Sequence, residues 1–151
     1  MPGIIVGVDG SDHSRYALRW AMQEAMLRHI PLTVMTVRPD PVRPATTIYW
    51  GLHTSPENRD TEDLAAQKAL QEFVDQVAGE IGALVPEVTV SVATGNPAQE
   101  LVKVSSDADM LVVGSRGLGG FGRLMMGSVS NQVTHHAACP VVVVPGLHEP
   151  S

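Results

Sequence analysis

The chain has 151 residues, 44% of them hydrophobic, and a net charge of −6 from sixteen acidic and ten Lys or Arg residues. This length suits one domain over residues 1–151, and no apolar run approaches the roughly 20 residues that cross a bilayer. Nucleic-acid binding usually depends on a basic face, and the sequence contains no Lys or Arg cluster that would form one.

The first third of the sequence predicts a strand, a helix and a second strand. The apolar run IIVGV at residues 4–8 predicts a buried strand, and the turn-forming residues DGSD follow it. Apolar residues recur at helical spacing from Leu18 and predict a helix that is capped by Ser11 or Asp12 and ended by Pro31. The run LTVMTV at 32–37 predicts the second strand. Residues 38–58 include four prolines and predict a long exposed connection.

The rest of the chain continues the same alternation of helix and strand. Helical spacing predicts helices over 60–82 and 128–138, and Asn96-Pro97 has the cap-then-proline pattern that opens a third. Short apolar runs predict strands at 88–92, 110–113 and 141–144. We therefore predict an α/β fold: a doubly wound, five-stranded, mostly parallel sheet with helices on both faces. Ligands in such sheets bind beyond the carboxyl ends of the strands, where the strand order reverses.

A glycine-rich stretch, GSRGLGGFGRLMMGSVSNQV at residues 114–133, follows the predicted fourth strand. No acidic residue lies between Asp109 and Glu149, whereas Arg116 and Arg123 lie inside the stretch, so a small anion is the expected partner. The GLGGFG segment matches the dinucleotide fingerprint only loosely, because no continuous helix follows it and no acid lies about 20 residues further on. The phosphate-binding motif G-x-x-x-x-G-K-[ST] does not occur in the chain.

A second spacing within this stretch fits phosphate binding better. Gly114 and Gly117 let the backbone after the strand approach a ligand closely, and Gly127 precedes Ser128 at the start of the predicted helix. A helix start presents free N–H groups and partial positive charge, and the hydroxyls of Ser128 and Ser130 can donate to phosphate oxygens. Arg116 or Arg123 can add charge. On spacing alone, a flexible surface loop with an ordinary serine cap remains an equal alternative.

Three motifs together resemble the universal stress protein family over essentially the whole chain. They are G-x2-G-x9-G-S in the glycine-rich stretch, VDGS after the first strand and ACPVVVVP near the C-terminus. The glycine motif is the one that marks the ATP-binding branch of that family. The resemblance implies a Rossmann-like fold of the adenine nucleotide alpha hydrolase type, ATP bound with a divalent metal, expected to be Mg²⁺, and a homodimer. It does not identify the metal ligands.

The resemblance also implies a set of nucleotide-binding residues. Phosphate contacts, made largely through backbone N–H groups, are expected from Gly117, Gly127, Ser128, Val129 and Ser130. Val113 and Gly114 are expected near the ribose and phosphates. The adenine and ribose would be bordered by Gly7, Val8, Asp9 and Val37.

The leading hypothesis is an ATP-binding module of the stress response with at most slow hydrolysis, because the glycine-rich stretch contains no acid or lysine. Three alternatives stay open: a metal-dependent phosphatase or phosphotransferase that uses Asp9, a protein-binding module indifferent to nucleotide, and a module specific for AMP or a cyclic nucleotide. The four consecutive valines at 141–144 would be hazardous at an unprotected sheet edge. Members of the family typically use this last strand to dimerise, so we expect a homodimer through it.

The remaining reactive side chains favour structural roles. His135 and His136 point about 100° apart on a helix, so they do not chelate one metal together. Cys139 is expected to be a small buried residue rather than a nucleophile, since no Cys-His-acid pattern accompanies it. A single cysteine excludes an intramolecular disulfide, and the N-terminus lacks the pattern of a signal peptide, so we expect a cytoplasmic location.

Overall fold

The computed structural model describes residues 3–38, 56–82, 87–115 and 128–146, in which strands and helices alternate. The strands are β1 (Ile4–Gly7), β2 (Leu32–Arg38), β3 (Val88–Thr94), β4 (Met110–Gly114) and β5 (Val141–Val144). The helices are α1 (Asp12–Arg28), α2 (Pro56–Ile81), α3 (Pro97–Ser105) and α4 (Ser128–His136). Within the described ranges, no helix is long and apolar enough to cross a membrane.

The five strands form one parallel sheet in the order β3-β2-β1-β4-β5. Val6 of β1 pairs with Val34 of β2 on one side and with Val112 of β4 on the other. The chain builds outward from β1 to β3 and then crosses back to β4, so the strand order reverses between β1 and β4. The predicted doubly wound α/β fold is confirmed, and all four described strand pairings are parallel.

Alternating residues of the strands supply two apolar cores, one on each face of the sheet. Ile4 and Val6 are buried on the face covered by α1 and α2, together with Leu18 and Met22 of α1. The other face is covered by α3 and α4, and its core consists of Met35, Ala98, Leu101, Leu111, Val113 and Val133. Both faces of the sheet are therefore covered, as the near-continuous apolar composition of its inner strands predicts.

Side-chain caps begin two of the helices. The Ser11 hydroxyl accepts from the N–H of Ser14, so Ser11 is the cap of α1 and Asp12 is the first helical residue. Asn96 accepts from the N–H of Gln99 and caps α3, which has proline in its first turn as the sequence predicts. Both caps fix a helix start at the carboxyl ends of the strands.

The connection predicted over residues 38–58 is shorter at both ends. Arg38 is the last residue of β2, because the ladder with β3 continues to Thr94 and the Gly95 N–H donates to the Arg38 carbonyl at 2.8 Å. Helix α2 already begins at Pro56, a residue whose fixed φ suits a first helical position. Residues 39–55 lie outside the described part of the chain.

Other predicted boundaries differ by one or two residues. Strand β1 ends at Gly7, whereas β3 and β4 extend to Thr94 and Gly114. Helix α4 ends at His136 rather than at residue 138, because the N–H of Ala138 donates to the hydroxyl of Ser105 in α3 instead of to its own helix. That buried serine ties the ends of α3 and α4 together.

Candidate functional site

The turn after β1 forms one side of the candidate site. The Val8 N–H donates to the Met35 carbonyl at 2.9 Å, and its side chain is buried. Asp9 is exposed, and its Oδ1 accepts from the N–H of Ser11 at 2.9 Å. Gly10 has φ +81°, a conformation that favours glycine. The Asp9 side chain therefore shapes the turn that leads from β1 into the cap of α1.

The end of β4 forms the other side of the site, next to the start of α4. The hydroxyl of Ser130 donates to the carbonyl of Gly114, and Ser130 is buried in the first turn of α4. The N–H of Ser115 donates to the Val144 carbonyl at 2.9 Å, which keeps the end of β4 paired with β5. The bond from Ser130 holds the N-terminus of α4 beside the carboxyl end of β4.

The first turn of α4 consists of Ser128, Val129 and Ser130, and its N–H groups have no acceptor within the helix. Such a turn favours an anion. Because the Ser130 hydroxyl is bonded to Gly114, the group that Ser130 can offer a ligand is its backbone N–H. Arg116, Gly117 and Gly127 lie outside the described residues.

The other predicted site residues pack against the helices on one face. A Cβ on Gly7 would lie 2.9 Å from Leu101 Cδ1, so Gly7 allows α3 to approach the sheet closely. Val113 is buried in the core beneath α3 and α4, and Val37 is half-buried in the same cluster. All three residues lie near the carboxyl edge of the sheet, and the side chains of Val113 and Val37 belong to the core.

One charged group at this edge has no signal in the sequence analysis. The Arg38 guanidinium at the end of β2 donates to Glu62 and Asp63 of α2. The hydrogen bond with Glu62 raises the pKa of Arg38, with Asp63 adding to the effect against the desolvation that lowers it. Arg38 is therefore cationic at every physiological pH. Arg38 lies 24 and 25 positions from these two acids, so the contact depends on the fold, and the sequence assigns residue 38 to the connection after the second strand.

The histidine pair and the cysteine lie in other surroundings. His135 Nδ1 is 2.7 Å from the Asn131 carbonyl, and the rings of His135 and His136 are 6.4 Å apart and tilted by 50°. Burial raises the pKa of the Cys139 thiol, and the nearby Asp109 carboxylate raises it further. A raised pKa keeps the thiol protonated and weakly nucleophilic. Across the described ranges, no three His, Cys, Asp or Glu side chains could hold a metal ion together.

Comparison with known proteins identifies the family of this chain. The sequence profile of the universal stress protein family matches residues 2–145, and the chain belongs to that family. It is 37% identical over 148 residues to a universal stress protein of Mycolicibacterium smegmatis, an alignment that covers 95% of this chain and 48% of that protein. The chain thus spans about half the length of the curated relatives it matches.

Solved structures share the fold over nearly the whole chain. The universal stress protein UspA from Lactobacillus plantarum matches with a TM-score of 0.75 at 26% identity, covering 95% of this chain and 97% of that one. A universal stress protein from Archaeoglobus fulgidus in complex with dAMP has a TM-score of 0.64 at 27% identity, with 95% and 97% covered. A universal stress protein in complex with cAMP has a TM-score of 0.62 at 26% identity, with 97% and 98% covered. Related proteins of this fold therefore bind adenine nucleotides.

Proposed function

We propose that the chain is a single cytoplasmic module, residues 1–151, that binds ATP with Mg²⁺ and acts in regulation of the stress response. The observation that carries the proposal is the bond from Ser130 to Gly114, which sets the start of α4 at the carboxyl end of β4. This is the point where the strand order reverses, the position at which doubly wound sheets bind ligands. The dAMP and cAMP complexes of related proteins support an adenine nucleotide as the ligand.

The proposed site follows the edge of the sheet from β2 to β4. The adenine and ribose would lie along Gly7, Val8, Asp9 and Val37, and the ribose and phosphates near Val113 and Gly114. Backbone N–H groups would hold the phosphates, with charge added by Arg116. The residues proposed for those phosphate contacts are Gly117, Gly127, Ser128, Val129 and Ser130.

A magnesium ion fits this edge as a partner of the nucleotide. Magnesium in nucleotide sites is held largely by phosphate oxygens and waters, with one or two carboxylates. Asp9 is the carboxylate at the end of β1, and its Oδ1 already accepts from the Ser11 N–H. Mg²⁺ would therefore be bound mainly by the phosphates. We expect at most slow hydrolysis, because phosphoryl transfer needs charge stabilisation and a positioned nucleophile. Asp9 is a poor candidate for positioning the attacking water, since its side chain shapes the turn after β1.

We also propose that two copies of the chain associate through β5. This strand is at one end of the sheet, and no other described strand pairs with its outer side. Its four residues are all valine, and three of them are only partly buried. A second copy would cover these apolar side chains and the unpaired backbone groups of the edge.

Thermal unfolding with and without millimolar Mg-ATP tests the nucleotide proposal. Ligand at about 100 times its Kd stabilises the folded state by roughly 2.7 kcal/mol, which raises the Tm of a domain of this size by about 5–10 °C. We expect this rise in the wild type and in the control Ser106→Ala, and no rise in the double variant Gly117→Val, Ser128→Ala. A wild type indifferent to Mg-ATP would contradict the proposal.

AMP and cAMP are the second candidate ligands, since related structures contain dAMP and cAMP. Competition against a fluorescent ATP analogue separates them from ATP. If the phosphates are held by the glycine-rich stretch, ATP competes at a lower concentration than AMP or cAMP. Stronger competition by AMP or cAMP would replace ATP by a monophosphate as the ligand.

A further inference from the structure

The two halves of helix α2 are attached to the fold in different ways. Its second half packs on the sheet through Leu70, Val74 and Val77, which are all buried. In the first half, residues 61–69 are exposed or half-exposed, and none belongs to either apolar core of the described chain. Leu64 in this half leaves 68% of its surface exposed. Apolar burial therefore stabilises the second half of α2 and contributes little to residues 61–69.

Ion pairs of Arg38 connect the first half of α2 to the sheet. Its Nη2 lies 2.9 Å from Glu62 Oε2, and its Nη1 donates to Asp63 Oδ1. The Arg38 side chain is 30% exposed, and those of Glu62 and Asp63 are 53% and 48% exposed. Exposed ion pairs are individually weak and are screened by salt. A contact of this kind can open without unfolding the domain.

The same residue fixes the end of β2. The Arg38 carbonyl accepts from the Gly95 N–H at 2.8 Å, which closes the ladder between β2 and β3. Val37, the residue before it, belongs to the border proposed for the adenine and ribose. One arginine thus joins the end of β2, the end of β3 and the first half of α2 at the carboxyl edge of the sheet.

We propose that Arg38 is a positioning residue whose two ion pairs, the Arg38 latch, hold the first half of α2 at the end of β2, and that nucleotide binding depends on the closed latch. The coupling rests on the proposed nucleotide site. When the latch opens, the end of β2 is no longer attached to α2 through Arg38 and becomes more mobile. A ligand that contacts Val37 must then order the end of β2 on binding. Ordering that segment lowers the affinity, and by linkage the bound nucleotide favours the closed latch.

Hydrogen exchange and nucleotide affinity, measured on the same variants, test the proposal. In the absence of nucleotide, Arg38→Gln should accelerate amide exchange in residues 61–69 by roughly three- to tenfold while the second half of α2 stays protected. The same variant should bind Mg-ATP roughly two- to fivefold more weakly, because the loss of affinity cannot exceed the factor by which opening of the latch increases. Arg38→Lys keeps one charged donor and should restore part of both properties. Arg28→Gln is the matched control, because it removes an exposed ion pair with Glu24 inside α1.

Each result has a distinct meaning. Unchanged exchange of residues 61–69 in Arg38→Gln, or in a Glu62→Gln, Asp63→Asn variant that opens the latch from the helix, would overturn the latch. Faster exchange with unchanged Mg-ATP affinity would overturn the dependence of binding on it. A wild type that binds no adenine nucleotide would overturn the proposed function and the coupling together, whereas the exchange data would still decide whether Arg38 holds α2.

Discussion

Ser130 is the residue that most directly joins the core to the candidate site. Its hydroxyl is buried and donates to the Gly114 carbonyl, so Ser130→Ala leaves that carbonyl without this partner. We expect the free energy of unfolding to fall by about 1–3 kcal/mol. Urea denaturation monitored by circular dichroism measures this change.

Ser106→Ala is the control for that substitution. The Ser106 hydroxyl also donates to a backbone carbonyl, that of Lys103 at 3.2 Å, but this bond is exposed. Removing an exposed bond should change the unfolding free energy by less than about 0.5 kcal/mol. Equal effects of the two substitutions would show that the contact between Ser130 and Gly114 contributes no more to stability than a surface bond.

At the scale of elements, two glycines predict opposite effects of the same substitution. Gly79 lies in α2, and a Cβ there would meet nothing within 4 Å. Gly79→Ala should therefore raise the unfolding free energy by about 0.5–1 kcal/mol, because alanine loses less backbone entropy in a helix. Gly7→Ala should lower it by about 1 kcal/mol or more, because the new methyl group displaces the Leu101 side chain of α3. Urea denaturation of both variants tests the contrast.

The Leu101→Val variant tests whether contact with Leu101 explains the cost of Gly7→Ala. A smaller side chain in α3 makes room at the Gly7 position, so Gly7→Ala should cost less in that background than in the wild type. If Gly7→Ala is equally costly in both, contact with Leu101 is not the reason for glycine in β1.

The elements also show how far the sequence determines the fold. Apolar runs, helical spacing and the Asn-Pro cap pattern predicted every described strand and helix, and the caps at Ser11 and Asn96 are set by neighbours three residues away. Boundaries that depend on distant partners were less predictable. The end of β2 is fixed by pairing with β3, and the end of α4 by the Ser105 hydroxyl, which lies 33 residues away from Ala138 in the sequence.

In the candidate site, too, some features could be predicted from the sequence and others depend on contacts between distant residues. The sequence predicted the carboxyl ends of β1 and β4 at one edge of the sheet, because parallel strands bring their ends together and the motif residues follow those strands. It did not predict that the two strands are adjacent. The bond from Ser130 to Gly114 and the ion pairs of Arg38 were not predictable, because they join residues 16, 24 and 25 positions apart. The sequence therefore predicts the position of the candidate site, while the groups that hold that site together emerge from packing.

At the scale of the whole molecule, the two edges of the sheet differ in their suitability for association. Strand β3 carries polar residues such as Thr89, Ser91 and Thr94 between its apolar ones, so a second copy would bury less apolar surface there. Strand β5 contains only valine. The carbonyls of Pro140 and Val144 accept from β4. Because backbone groups of a strand alternate in direction, the N–H and C=O of Val141 and Val143 point to the outer side.

Because of this alternation, proline substitutions at two neighbouring positions of β5 test dimerisation and folding separately. Val143→Pro removes an outward N–H and leaves the bonds to β4 intact, whereas Val142→Pro removes an inward donor from the ladder. If β5 pairs with a second copy, sedimentation should give about twice the 16.1 kDa chain mass for the wild type and the single mass for Val143→Pro. Val143→Pro should keep a cooperative unfolding transition, and Val142→Pro should be strongly destabilised. A folded Val143→Pro variant that still sediments as a dimer would move the interface away from the edge of β5.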